Sequence, residues 1–457
     1  MGGNVVGGLY SAFGPLADND GQMASDAPDG TSLMMISGLS VPGATGNPLA
    51  MVTQFEYKSL PPNDGTSTGE FWSKLPAAMG LALLDQDARS GMLAARSYTN
   101  IGMSGVQGGW IFCGSTLSPW NTHVSSEEYE PDAKVRGGGA KAADSDDGTD
   151  INSFSKYQFN NAATANPYHY GLVPEVTVDA SGKATVVKHY APGRFAREMQ
   201  IGASDNRTFI GGDDGKATGL FMFVADREKD PSAGTIYAAK VTQTAATGAG
   251  SYTLQWIRLG QATDAEIKSM VDSGIKFSNI FDASNTDPGD ATYKKVVTYN
   301  GTEWLRLKSG MDKAAAFLET RRYAALKGAT TEFSKMEYIA YNSTDRKFYV
   351  VISRIETLMT DGAGDIKVSR NDGGAVLEMV TASGVKDSAG ATINSSYAGT
   401  TMATIPELVG GWSTKLDAEG NACTQEKICG PDNVVYVPAI RTLFIGEDTS
   451  RRNNNYV

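Results

Sequence analysis

The chain has 457 residues, with 51 Asp and Glu against 40 Lys and Arg, for a formal net charge of −11. No basic stripe is present to neutralise a phosphate backbone, so nucleic acid is excluded as the expected partner. No apolar run reaches the roughly 20 residues of a membrane-spanning helix, so no membrane span is expected either.

The length suits two or three average domains or one large all-β domain. Nothing has the length of an inter-domain linker, and the chain is read as a single domain over residues 1–457. The opening Met1-Gly-Gly-Asn4 lacks the charged and apolar parts of a signal peptide.

In chain order, the first strand-like runs are Gly108–Cys113 and Asn121–Ser126, with a Ser118-Pro119-Trp120 turn between them. The Gly- and Asp-rich stretch 136–148 reads as an exposed loop. Further strand-like runs are Gly219–Ala225, Gly234–Val241 and Tyr252–Arg258. A helix is predicted at Thr263–Val271, where Thr263 and Glu266 have capping-box spacing. A second helix is predicted from Asp312 to Lys327, with Ala314, Ala315, Phe317, Leu318 and Arg321 on or beside one face. Lys347–Ser353, Asn433–Val437 and Arg441–Ile445 complete the strands. Short strands with frequent turns, in a chain with 52 glycines, predict an all-β sandwich, barrel or propeller. No repeat is visible that would select among these.

Three residue sets bear on chemistry. Cys423 and Cys429, six residues apart in a polar loop, are a disulfide candidate suited to an oxidising compartment. Three reduced thiols in a cytosolic protein are the alternative. Cys113 stands fifteen residues before Glu128, the second of two adjacent carboxylates. A thiolate beside carboxylates suits a softer transition-metal ion next to hard cations, although a lone buried Cys is commonly a small core residue. Strand alternation sends Glu127 and Glu128 to opposite faces, so only one of them can join Cys113. His123 reads as a surface or supporting residue, and three histidines in all make a His-rich zinc site improbable. Arg194 and Arg197 read as solvated salt-bridge partners on a strand, with substrate contact as the alternative.

Five segments share the order of motifs in one family. Cys113, Pro119, Trp120, Thr122, Glu127 and Glu128 match C-x-x-x-x-x-P-W-x-T-x-x-x-x-E-E. Gly193–Glu198 is similar to G-R-F-x-H-E, with Arg197 in place of His, and Gly212-Asp213-Asp214 to G-D-D before a strand. Thr320-Arg321, Gly328–Thr330 and Lys335-Met336-Glu337 follow T-R-x-x-A, G-A-T and R-P-E, and Pro431-Asp432-Asn433 recurs as well. The chain thus resembles the PhoX family of alkaline phosphatases from about residue 110 to residue 450.

That resemblance implies a six-bladed β-propeller decorated by a few helices, exported to the periplasm or beyond, with this chain a mature form whose leader has been removed. It implies hydrolysis of small phosphate monoesters by a monomer, serving phosphate acquisition. Fe3+ is implied at Cys113, Glu128 and Glu198, and Ca2+ at Asp213, Asp214, Glu337 and Asp432. Arg321 and Lys335 are implied as substrate-binding catalytic residues. Lys335 replaces an Arg and loses its planar two-pronged grip on phosphate. Two other departures are Ala95–Thr99 in place of N-H-E-Y-T, and an end at Val457 where relatives continue, as if C-terminal strands were missing. Alternatives are another calcium-dependent propeller hydrolase, a lactonase or phosphodiesterase, which a thiolate disfavours. A non-enzymatic calcium-binding scaffold is the other.

Overall fold

In this computed structural model residues 4–65, 74–135 and 146–457 are described. They form two compact units that divide after His189. The chain is all-β with a few short helices, and no described helix is long and apolar enough to cross a membrane. Residues 136–145 of the expected Gly/Asp-rich loop lie outside the described residues, while 146–148 open the helix Asp146–Phe159.

The first unit is built on two four-stranded antiparallel sheets. One is a meander of Pro28–Met34, Asn47–Phe55, Ala78–Gln86 and Leu93–Asn100. Ala78–Gln86 is buried on both faces, as its near-continuous apolar run requires. The other sheet orders Ala184–His189, Val173–Val178, His123–Ser125 and Ser115–Leu117. Met34, Val52, Leu81, Phe112 and Val176 pack in the core that draws on both sheets.

The second unit is built on one nine-stranded antiparallel sheet running from Gln200–Gly202 to Met336–Asn342. Its long central hairpin is Asp230–Ala245 with Ser251–Thr263. The sheet curls far enough that Ile339 N, on one edge strand, lies 3.4 Å from Met199 Sδ beside the other. The apolar core packed on this sheet includes Trp256, Met336, Phe348 and Leu377. The predicted helix at 263–271 is Asp264–Asp272, with Thr263 and Glu266 forming the capping box. The helix expected over 312–327 is two, Asp312–Leu318 and Thr320–Leu326, broken at Glu319. Cys423 and Cys429 form the disulfide, with Cα atoms 6.1 Å apart, and Cys113 is not disulfide-bonded.

Candidate functional site

Each unit has candidate ligands of its own. In the first unit, Trp110–Cys113 is not the expected strand, because its backbone is committed elsewhere. Gly109 makes one bridge to Ala77, Gly30 N donates to Cys113 O at 3.2 Å, and Ile111 takes φ +32°. A β-branched residue rarely adopts that conformation, and it turns the chain before the strand begins at Ser115. The turn places Cys113 with Glu56 and Glu128, their ligand atoms within 4.8 Å of one another. Cys113 Sγ also lies 3.6 Å from Asp29 Oδ2.

The hairpin strand ends at Ser125, so alternation does not reach the glutamates, and both Glu127 and Glu128 are buried. What separates them is their partners. Glu127 accepts from the backbone N–H of Trp110 and Leu172 and pairs with Lys188 at 2.6 Å, an arrangement that locks loops together. Glu128 is the one beside Cys113. The Pro-Trp-x-Thr motif has a comparable tying role. Trp120 Nε1 donates to Glu175 Oε1 at 2.7 Å, Thr122 Oγ1 donates to the same oxygen, and His189 Nε2 meets Oε2 at 2.9 Å.

His123 is not a surface residue. It is fully buried, 2.9 Å from both Ser32 Oγ and Gln54 Oε1, and burial pushes its pKa down to about 3. Arg194 and Arg197 are likewise buried and off any strand, not solvated. Arg194 N–H donates to Thr320 Oγ1 at 2.9 Å, and Arg197 lies over the Phe195 ring while donating to Pro192 O at 3.0 Å.

In the second unit, Glu198, Glu337 and Asp432 place ligand oxygens within 4.8 Å of one another. Glu198 follows a tight turn in which Arg197 N–H donates to Phe195 O, and Asp214 N–H ties to Ala196 O at 2.8 Å. The Gly-Asp-Asp-Gly segment needs both glycines. A Cβ on Gly212 would stand 2.7 Å from Met336 O, and Gly215 takes φ +114° against the Tyr299 ring. Lys335 Nζ bridges Asp214 at 2.7 Å and Glu337 at 2.9 Å, and Ser353 Oγ donates to Glu337 at 2.7 Å.

Burial, then the charge of Asp214, push Glu337 up, against the pull of Glu198 and Lys335. Burial, then Glu337 and Asp448, push Asp432 well above the usual carboxylate range. Among the described residues Asp213 is outside the three-residue acidic groups: both its oxygens accept from Arg321 Nε at 2.8 Å, so its carboxylate holds the Arg321 guanidinium. Arg321 also stacks on Tyr299.

Sequence reasoning missed Glu56, Asp29 and Asp448. Glu56 and Asp29 precede every motif, and their one signal is a carboxylate in or just after an apolar strand. Asp448 follows the last strand, Thr442–Glu447.

Strand-rich units carrying acidic groups that could hold cations are the class of protein that the fold and site define. The sequence pattern of the alkaline phosphatase PhoX family matches residues 90–456, and the chain belongs to that family. Family membership makes it a phosphatase, in place of the lactonase, phosphodiesterase or scaffold alternatives. The fold is similar to that of Pseudomonas fluorescens PhoX in complex with vanadate, a transition state analogue. That similarity has a TM-score of 0.60 at 19% identity over 98% of this chain and 82% of the other. A putative 6-phosphogluconolactonase from Bacteroides uniformis matches with a TM-score of 0.27 at 10% identity, over 87% and 80% of the two chains. No curated protein matches the chain.

Proposed function

We propose that this phosphatase hydrolyses small phosphate monoesters outside the cytoplasm, releasing inorganic phosphate, and uses bound iron and calcium to do so. The observation that carries the reading is the Glu198, Glu337 and Asp432 group, whose repelling carboxylates fit hard divalent cations. Asp214 adds a further carboxylate beside Lys335. The Cys113, Glu56 and Glu128 group, with a sulfur donor, fits the softer iron centre. Glu198, which the resemblance gives to iron, is offered with the second unit's carboxylates. When bound, such ions supply positive charge at the phosphoryl oxygens and acidify water.

The chain's own part is to position and neutralise. Asp213 fixes the Arg321 guanidinium through Nε. Lys335 offers an ammonium beside the carboxylates and is partly exposed. Both are assigned to the non-bridging phosphoryl oxygens. Vanadate in the Pseudomonas fluorescens complex supports a phosphoryl-transfer reading. The Cys423–Cys429 disulfide supports export. A single domain over residues 1–457, arranged as a six-bladed propeller, is the architecture that goes with this reading, supported by the PhoX-like fold.

The test is p-nitrophenyl phosphate hydrolysis at alkaline pH with calcium and iron supplied. Arg321→Ala should lower turnover by roughly 30- to 1000-fold, the usual cost of removing a charged donor from a transition-state oxyanion. Metal content should stay the same, and Lys335→Arg should keep or raise activity. Turnover by Arg321→Ala equal to the wild type would remove the residue from the site, and an inactive metal-loaded wild type would refute the substrate class.

A further inference from the structure

The Cys113 turn is held from behind by a hydrogen-bonded chain of three buried side chains. Gln54 Nε2 donates to Cys113 O and, at 3.0 Å, to Gly114 O. Carbonyl oxygens only accept, so the amide orientation is fixed, and Gln54 Oε1 must face His123. An amide oxygen also only accepts, so His123 carries its proton on Nε2 and donates it to Gln54 across 2.9 Å. His123 Nδ1 is then an acceptor, and the Ser32 hydroxyl donates to it at 2.9 Å. The direction of every bond in the chain follows from its two ends. Gln54 and His123 are fully buried and Ser32 nearly so, which keeps water from replacing a lost partner.

Two further donors close on the same turn: Gly30 N–H on Cys113 O, and Ser126 Oγ–H on Gly114 O at 2.8 Å. Cys113 therefore sits in irregular backbone outside the strand ladders, fixed by Gln54 from Asn47–Phe55 and by Ser126, just past His123–Ser125. We infer that Gln54, oriented by His123 and Ser32, is a positioning residue that holds the Cys113 thiol toward Glu56 and Glu128. The inference rests on the reading of Cys113 as a metal ligand for its purpose, but not for its geometry.

The experiment uses the full chain after removal of metals by chelation. The other two cysteines are bridged, so iodoacetamide reports Cys113 alone. Gln54→Met keeps the side-chain length and removes the donor. It should raise the alkylation rate about tenfold with the far-ultraviolet circular dichroism unchanged, as expected for one buried hydrogen-bond donor. Cobalt(II) added to the same proteins should give a thiolate charge-transfer band in the wild type and none in Cys113→Ser. In Gln54→Met that band should shift and the cobalt Kd weaken by about tenfold, a spectroscopic change that general softening would not produce.

His123→Phe should give a smaller rise in alkylation. Ser32→Ala, which removes only the outermost donor, carries the same comparison if Gln54→Met does not fold. Wild-type alkylation rates in these variants would overturn the inference, whatever the metal does. A wild type with no cobalt–thiolate band would instead overturn the metal reading, and the alkylation rates would still decide the positioning role.

Discussion

His123 shows how far one side chain can depart from its ordinary chemistry. Full burial holds it neutral, with a pKa of about 3 against an unperturbed 6.5. The unfolded chain takes up a proton near pH 6.5 and the folded chain does not, so the unfolded state binds more protons between those values. Stability is therefore complete above about pH 6.5 and is lost as pH falls toward 3, by up to ~1.4 kcal/mol per pH unit. Urea unfolding between pH 7 and pH 4 should show that slope, and His123→Gln should flatten it. A slope unchanged in the variant would mean that other groups set the acid sensitivity. The same burial of polar side chains surrounds Arg194 and Arg197, whose motif invited a solvated reading.

Among elements, the hairpin Ser115–Leu117 with His123–Ser125 is the one whose sequence is most marked, and its marks are structural. Trp120, Thr122 and His189 converge on Glu175, on the adjacent strand. Glu175→Leu would leave the buried Thr122 and His189 and the half-buried Trp120 without that acceptor. It should cost on the order of 2–4 kcal/mol in urea unfolding and alter the near-ultraviolet dichroism of Trp120. A loss below ~0.5 kcal/mol would show that the turn holds without Glu175.

The sequence made some elements legible because their cause is local. The capping box of Asp264–Asp272 is written in Thr263 and Glu266, and the hairpin Pro431–Val437 with Thr442–Glu447 in β-branched and aromatic runs. Other elements answer to distant partners. Helix pattern continues through Glu319, yet the chain breaks there, where Arg322 binds both Glu319 and Glu303 in a buried cluster. Trp110–Cys113 looks like a strand but is held by Gln54 and Gly30, a long way back in the chain. Motif order named Glu198, Glu337 and Asp432, whereas Glu56 became visible only when the fold set it beside Cys113.

At the scale of the whole molecule, the carboxylate group of the second unit ties stability to pH and to cations. Glu337 and Asp432 both titrate above the ordinary carboxylate range, chiefly through burial and then through their acidic neighbours. Below pH 4 both states hold these protons and no difference arises. As pH rises above the ordinary carboxylate value the unfolded chain ionises first, so the folded state binds more protons and metal-free stability falls. A bound cation reverses that trend, because it favours the ionised carboxylates and binds only the folded arrangement. The increase in Tm on adding calcium should thus be small at pH 5 and larger at pH 8, and Asp432→Asn should reduce the difference. Scanning calorimetry of chelated protein with and without calcium at the two pH values measures it directly. Equal increments at both, or an undiminished increment in Asp432→Asn, would show that calcium stabilises this protein through other groups.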